Sequence, residues 1–217
     1  MKEITFCLTS CNRWKLLEIT IDSFLKLNNY PIKEFLLHED SVNQEIITKI
    51  INKYGDLFTI IKNDVNVGLL QSIDNLYKLV NTEYIFHCED DWEFKGNKQF
   101  IEESLNILET NPNIHQIWIR EGIPNNWLES KTKLNFRMVK SSHYGDWTGF
   151  SFNPGLRRLS DYKLMFPEGY AKYHDKSKNS ALNEHDCNLV TINYNYRAAL
   201  LNHSACKHIG ENQSTYK

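Results

Sequence analysis

The feature that most limits how this chain can fold is an alternation: through the first 94 residues, short apolar runs and apolar stripes at helical spacing take turns. Ile4 to Leu8 is a run of apolar and β-branched residues. The polar stretch Thr9 to Arg13 then supplies a turn, with Asn12 as an N-cap candidate. Leu17, Ile21, Phe24 and Leu25 recur at helical spacing up to Leu27, and Asn28-Asn29-Tyr30-Pro31 stops the pattern. Glu34 to His38 starts the cycle again. Glu39-Asp40-Ser41 follows it, and Ile46, Ile47, Ile50 and Ile51 mark a second helix closing near Tyr54-Gly55. Phe58 to Ile61 is a third strand and Asn66-Val67-Gly68 a turn. Ile73, Leu76, Tyr77 and Val80 form a third stripe before the strand Tyr84 to Cys88. Strands alternating with helices predict an α/β fold built on a parallel sheet with right-handed crossovers.

In such sheets ligands collect beyond the carboxyl ends of the strands. Thr9 to Arg13, Glu39-Asp40-Ser41 and Glu89-Asp90-Asp91 all fall there, so three polar clusters converge on one crevice. The last carries the most chemistry. Neighbouring carboxylates repel one another and resist leaving water, so folding them against the apolar run Tyr84 to Cys88 calls for a divalent cation or another positive partner. An acidic turn on a solvated face would give the same tripeptide, and the strand in front of it is what favours a metal site. Beyond Phe94 the pattern loosens. A helix is predicted from about Lys98 to Leu108, then a strand at Gln116-Ile117-Trp118-Ile119, then a loop-rich stretch with Trp127, Tyr144, Trp147 and Asn153-Pro154-Gly155, where mixed strands are expected. The polar tail from Lys207 to Lys217 is expected to order on binding.

At 217 residues and 41% hydrophobic content the chain can fill one core, and a single domain is expected. Lys and Arg number 25 against 27 Asp and Glu, a net charge of -2, so there is no basic excess to favour nucleic acid as a partner. The start is too polar for a signal peptide, and no transmembrane segment is expected. Five cysteines, odd in number and without CxxC spacing, indicate neither a disulfide framework nor structural zinc, and a reducing, cytoplasmic setting fits. Cys7, Cys11 and Cys88 are expected to be small core residues near strand ends.

On these clusters the chain resembles a nucleotide-sugar-dependent glycosyltransferase of the GT-A fold, most similar to the large inverting family 2, over nearly its whole length. The resemblance implies a Rossmann-like α/β/α sandwich with a mixed central sheet in a single domain. Residues 1–94 would be the nucleotide-binding half, and 95–217 the acceptor-binding half and C-terminal tail. Leu8-Thr9-Ser10-Cys11-Asn12-Arg13 resembles the family's first strand and the Thr-x-Asn-Arg loop that lines the nucleotide. Glu39-Asp40-Ser41 resembles the Asp-Asp-Gly-Ser element without its Gly, which would put Asp40 on the base or ribose. Asn66-Val67-Gly68 is similar to the Asn-x-Gly turn; the arginine that often follows is absent, with Gln71 and Asn75 nearby. Glu89-Asp90-Asp91 matches Asp-x-Asp with Glu in first place, which gives Asp91 the metal and Asp90 a contact through water. Lys207-His208-Ile209-Gly210 resembles the late His-x-Gly element, so His208, with His203 as the fallback, would complete a site for Mn²⁺ or Mg²⁺.

Inversion needs a base that takes the acceptor hydroxyl's proton as that oxygen attacks. In family 2 this base comes from a Glu-Asp pair at a late helix start, and Asn183-Glu184-His185-Asp186 holds the comparable place. Asp186 is the preferred candidate and Glu184 the other. Both also fit first-turn charges of a helix. Gly145-Asp146-Trp147-Thr148-Gly149-Phe150 and the residues to Gly155 resemble the strand and loop that support donor sugar and acceptor. Trp147, Phe150 and the motif neighbour Trp92 would offer stacking faces beside Gly149. Arg157 and Arg158 could counter the diphosphate or a charged acceptor, but read rather as an exposed pair. The implied donor is a UDP-sugar, with GDP and dTDP open, and the acceptor a glycan, protein or small molecule. A retaining transferase of the same fold stays open. So does a non-catalytic nucleotide- or glycan-binding domain, in keeping with the interrupted Glu-His-Asp. A nucleotidyltransferase would place glycines in the first loop, and Thr9 to Arg13 has none. A glycoside hydrolase pairing Glu89 with Glu184 needs no nucleotide contacts.

Overall fold

A computed structural model of the chain describes residues 1–130, 132–140, 147–173, 175 and 180–211. Its first part runs β1 (Ile4–Ser10), α1 (Trp14–Leu27), β2 (Glu34–Glu39), α2 (Gln44–Tyr54), β3 (Thr59–Lys62), α3 (Leu69–Tyr77), β4 (Tyr84–Glu89) and β5 (Trp92–Phe94). The rest is α4 (Phe100–Thr110), β6 (Ile114–Trp118), β7 (Phe136–Met138), β8 (Gly155–Arg158), α5 (Leu159–Met165), α6 (Ser180–Asn193), β9 (Arg197–Leu201) and β10 (Cys206–His208). Eight strands form a mixed sheet in the order β3-β2-β1-β4-β8-β6-β9-β7, and β5 pairs with β10 in a separate antiparallel ribbon. The βα units predicted from periodicity are parallel neighbours, β1 lying between β2 and β4. The mixed part begins at β8, which runs antiparallel to both β4 and β6.

The pleat of the central strands divides the core in two. Ile4, Phe6 and Leu8 of β1 and Tyr84, Phe86 and Cys88 of β4 point to one face, where Phe24 of α1 and Phe100 of α4 join them. Cys7 and Ile85 face the other way, with Ile73 and Tyr77 of α3, Phe150, Phe152, Tyr170 and Cys187 of α6. The same alternation sends Glu89, at the end of β4, to the side on which α6 lies. All five cysteines are buried. Asn12 departs from the expected cap: its φ is 59° and the helix begins after Arg13 with no side-chain cap bond. The capping is done instead at α2, where Asn43 accepts from the N–H groups of Glu45 and Ile46.

Arg157 and Arg158 are not an exposed pair. β8 is interior to the sheet, so Arg157 is buried there and donates to the Ser151 carbonyl, while Arg158 holds Asp161 and the carbonyls of Leu108, Pro112 and Ile114. Tyr144, Gly145, Asp146 and residues 212–217 lie outside the described residues.

Candidate active site

The carboxylates of Asp90 and Asp91 meet at the ends of β1 and β4. Asp90 is buried; its Oδ2 accepts from the Ser10 hydroxyl at 2.9 Å and from Arg13 Nε at 3.2 Å, and its Oδ1 accepts from Arg13 Nη2. Burial raises the Asp90 carboxyl to about 6 against the opposing pull of Arg13. Asp91 accepts from Arg13 Nη1 at 2.8 Å through Oδ2 and has His208 Nε2 at 3.3 Å from the same oxygen. Burial would raise Asp91, but the bonds from His208 and Arg13 outweigh it and hold this carboxyl below its ordinary value. Asp90, Asp91 and Glu89 in turn raise the Arg13 guanidinium against its own burial. Arg13 is thus a counter-ion built into the acidic cluster.

The β5–β10 ribbon brings His208 to this place. His208 pairs with Trp92, and the Ile209 N–H donates to the Asp91 carbonyl at 2.9 Å. A Cβ on Gly210 would stand 2.4 Å from Asp91 Oδ2, so only glycine lets the chain pass so close to the carboxylate.

The residues at this end suit a divalent ion. Among the described residues Asp91 Oδ1 is buried without a hydrogen-bond partner, an acceptor of the kind a bound cation satisfies. Adjacent ligands of an octahedral ion at 2.0–2.1 Å stand about 3 Å apart, close to the spacing of Asp91 Oδ2 and His208 Nε2. Carboxylate oxygen with imidazole nitrogen favours Mn²⁺ over Mg²⁺. Among the described residues no group of three His, Cys, Asp or Glu side chains encloses an ion, so ligands from a bound diphosphate would be needed to fill the shell.

Glu89 and Glu184 form the other half of the centre. Glu89 lines a small cleft with Thr9, Ser10, Cys11, Arg13, Leu69 and Asp90. Its carboxyl is pushed far above the glutamate range by burial and then by Asp91, Glu184 and Asp90. Glu184 Oε1 accepts from the Phe152 N–H at 2.9 Å and the Ser151 hydroxyl at 3.4 Å. Burial raises its pKa too, against those two donors and the charges of Arg157 and Arg120. The helix begins at Ser180, so Glu184 is inside α6 and not at its first residue. Asp186 is about 200° further round the helix and leaves Glu184 as the carboxylate that faces Glu89.

Several other expected contacts have structural uses. Asp40 is 0% exposed; Oδ1 accepts from the Asn63 side chain and the Val67 N–H, and Oδ2 from the Gly68 N–H. Asn66 Nδ2 donates to the Asp40 carbonyl. Asp40, Asn66 and Gly68 thus tie the second and third loops together. Asn12 Oδ1 accepts from Asn43 Nδ2, and the Asn12 N–H donates to buried Glu39. Thr9 remains at the cleft, its buried hydroxyl without a partner among the described residues. The rings of Trp92 and Phe150 are each 1% exposed and belong to the two cores, so neither is a stacking face. Gly149, at φ 98°, lets the chain pass Ala198 and Val139, which a Cβ would meet at 2.7 and 2.9 Å. Trp147 is half-buried against Trp118 and Trp127.

Three residues gained no weight from sequence. Ser10 anchors Asp90. Asn188 Oδ1 takes the N–H groups of Thr148 and Phe150, which fixes the loop that Glu184 also grips. Arg120 stands over the Trp92 ring at 4.9 Å. Its place directly after an apolar strand was the available signal.

Several solved structures share this architecture. Staphylococcal TarS residues 1–349 ("S. aureus") superposes with a TM-score of 0.68 at 15% identity, covering 97% of this chain and 61% of that one, and it is also known with UDP-GlcNAc. The mannosyltransferase PcManGT of Pyrobaculum calidifontis, in complex with GDP-Man and Mn²⁺, gives 0.63 at 12% identity over 98% of this chain and 58% of that one. GalNAc-T7 with UDP, GalNAc and Mn²⁺ gives 0.68 at 12% identity over 96% and 44%. This chain therefore spans about three fifths or less of the length of these neighbours. No curated protein matches the sequence significantly. The profile of "Glycosyl transferase family 2" matches residues 5–178, so this chain, with its GT-A fold, belongs to glycosyl transferase family 2.

Proposed function

We propose that the chain transfers a sugar from a nucleotide-sugar, with a UDP-sugar as donor, to a hydroxyl of an acceptor, with inversion at the anomeric carbon. The observation that carries this reading is that Glu89 and Asp90, at the end of β4, line one crevice with Thr9, Ser10, Cys11 and Arg13, and that Asp91 and Glu184 of α6 stand near enough to act on Glu89 by charge. Breaking the bond from anomeric carbon to phosphate leaves negative charge on the departing diphosphate. A Mn²⁺ held by Asp91 and His208 would supply Lewis-acid neutralisation of that charge.

The remaining work falls to the chain's own groups. Arg13 pairs with Asp90 and Asp91 side by side and fixes the orientation of both. Ser10 and the Cys11 N–H hold Asp90 from the β1 side. Glu184 is the base. Its bonds to Ser151 and Phe152 both use Oε1, and its raised pKa suits taking a proton from a hydroxyl near neutral pH. UDP as carrier is supported by the UDP-sugar complex of TarS, a neighbour in fold, and GDP by that of PcManGT.

Titration calorimetry of the chain with UDP, GDP and dTDP, each with and without Mn²⁺, tests this. UDP is expected to bind most tightly and Mn²⁺ to strengthen its binding by at least about tenfold, the equivalent of 1.4 kcal/mol. Equal affinities with and without metal for all three would remove Asp91 and His208 from the reading.

A further inference from the structure

We propose that a groove leading from Arg120 to Arg137 takes an acceptor bearing an oxyanion, a phosphate ester or a carboxylate, and that Arg120 recognises that group. The inference rests on the glycosyl-transfer reading above and names the class of acceptor. β4 is antiparallel to β8 and β8 to β6, so β6 runs in the direction of β4 and Arg120 emerges at the sheet edge that holds Glu89 and Asp91. In the sheet order β6 and β9 lie on the opposite side of β4 from β1, β2 and β3, whose loops form the nucleotide side. A ligand on Arg120 therefore approaches from the acceptor side.

The guanidinium is held for such a ligand. Trp92 supports its face at 4.9 Å, and Nε donates to the Glu121 carbonyl at 3.3 Å. Among the described residues neither Nη atom has a hydrogen-bond or ion-pair partner. Glu184, Glu89 and Asp91 act on it by charge, but none pairs with it. A planar fork with two unused donors matches the paired oxygens of a phosphate or carboxylate.

The groove beyond it has a cavity volume of about 190 Å³, room for one charged group and its immediate neighbours, and is lined by Arg120, Asn125, Arg137, Asn202 and Ser204 among others. Arg137 is pre-oriented there by the Glu129 carbonyl and Asn125 Oδ1. Its acidic lining residue, Glu121, faces Lys95 at 3.8 Å.

The test is titration of the full chain with sn-glycerol 3-phosphate, glucuronate, glycerol and glucose, followed by NMR, with and without UDP and Mn²⁺. At least one charged probe is expected to bind and the neutral probes not to. Whichever anion binds more tightly identifies phosphate or carboxylate as the source. Arg120→Gln should weaken that binding by about tenfold or more, with Arg120→Lys between the two, and added NaCl should weaken it in the wild type. Charged and neutral probes binding alike, or no probe binding, would overturn the proposal. So would undiminished anion binding in a folded Arg120→Gln, which would leave Arg120 as a cover for Trp92. Failure of UDP to bind would instead count against the transferase reading, because the arms without nucleotide report on the groove alone.

Discussion

Glu184→Gln is expected to lower the rate of sugar transfer between about a hundredfold and ten-thousandfold, the range of a positioned base, while UDP affinity stays at the wild-type level. The substitution keeps the fold because both local bonds of Glu184 end on Oε1, which an amide retains as an acceptor. It also separates two pH effects. In the wild type the base must be ionised, and burial has raised its pKa, so kcat/KM should climb with pH through a value above that of an ordinary glutamate. The variant should lose that limb. The stability effect has the opposite direction. The unfolded chain titrates Glu184 at its ordinary value and the folded chain at a higher one, so between them the native state binds more protons and stability falls as pH rises. Above that window the cost of the buried charge is present in full. Glu184→Gln removes it and should raise the Tm at neutral pH, read by thermal melts across a pH series. A variant with wild-type transfer rates would return the role of base to Asp186.

Asp91→Asn should abolish the strengthening of UDP binding by Mn²⁺ and cut transfer by roughly a thousandfold, as expected from losing several kcal/mol of charge stabilisation. Asp90→Asn makes the informative contrast. Both oxygens of Asp90 are committed to Arg13, Ser10 and the Cys11 N–H. Its amide would lose an acceptor and leave a buried donor against Arg13, so the damage should appear as a lower Tm with Mn²⁺ dependence kept. Metal dependence surviving in Asp91→Asn, and lost in Asp90→Asn, would exchange the two assignments.

Much of the fold was legible because its signals are local. A strand such as β1, buried at every position, reads as one apolar run, and α1 to α3 bury stripes at helical spacing. The β5–β10 ribbon was not legible as a strand pairing, since it joins segments more than a hundred residues apart and its register is set by the folded chain. A polar motif can also serve the backbone. Asp40 has the look of a ligand contact, yet the N–H groups of Val67 and Gly68 are what it holds. Trp92 is next to the acidic motif in sequence, but the strand's alternation turns its ring into the core. The choice between Glu184 and Asp186 turns on the phase of α6, which the spacing of two carboxylates two residues apart does not reveal.

The most direct measurement is a crystal structure of the chain grown with UDP and Mn²⁺, with data collected at the manganese absorption edge. The predicted result is an anomalous peak within coordination distance of Asp91 and His208, with the diphosphate on the same ion and Glu184 facing the open side. A peak remote from both side chains, or UDP bound away from the end of β4, would contradict the account.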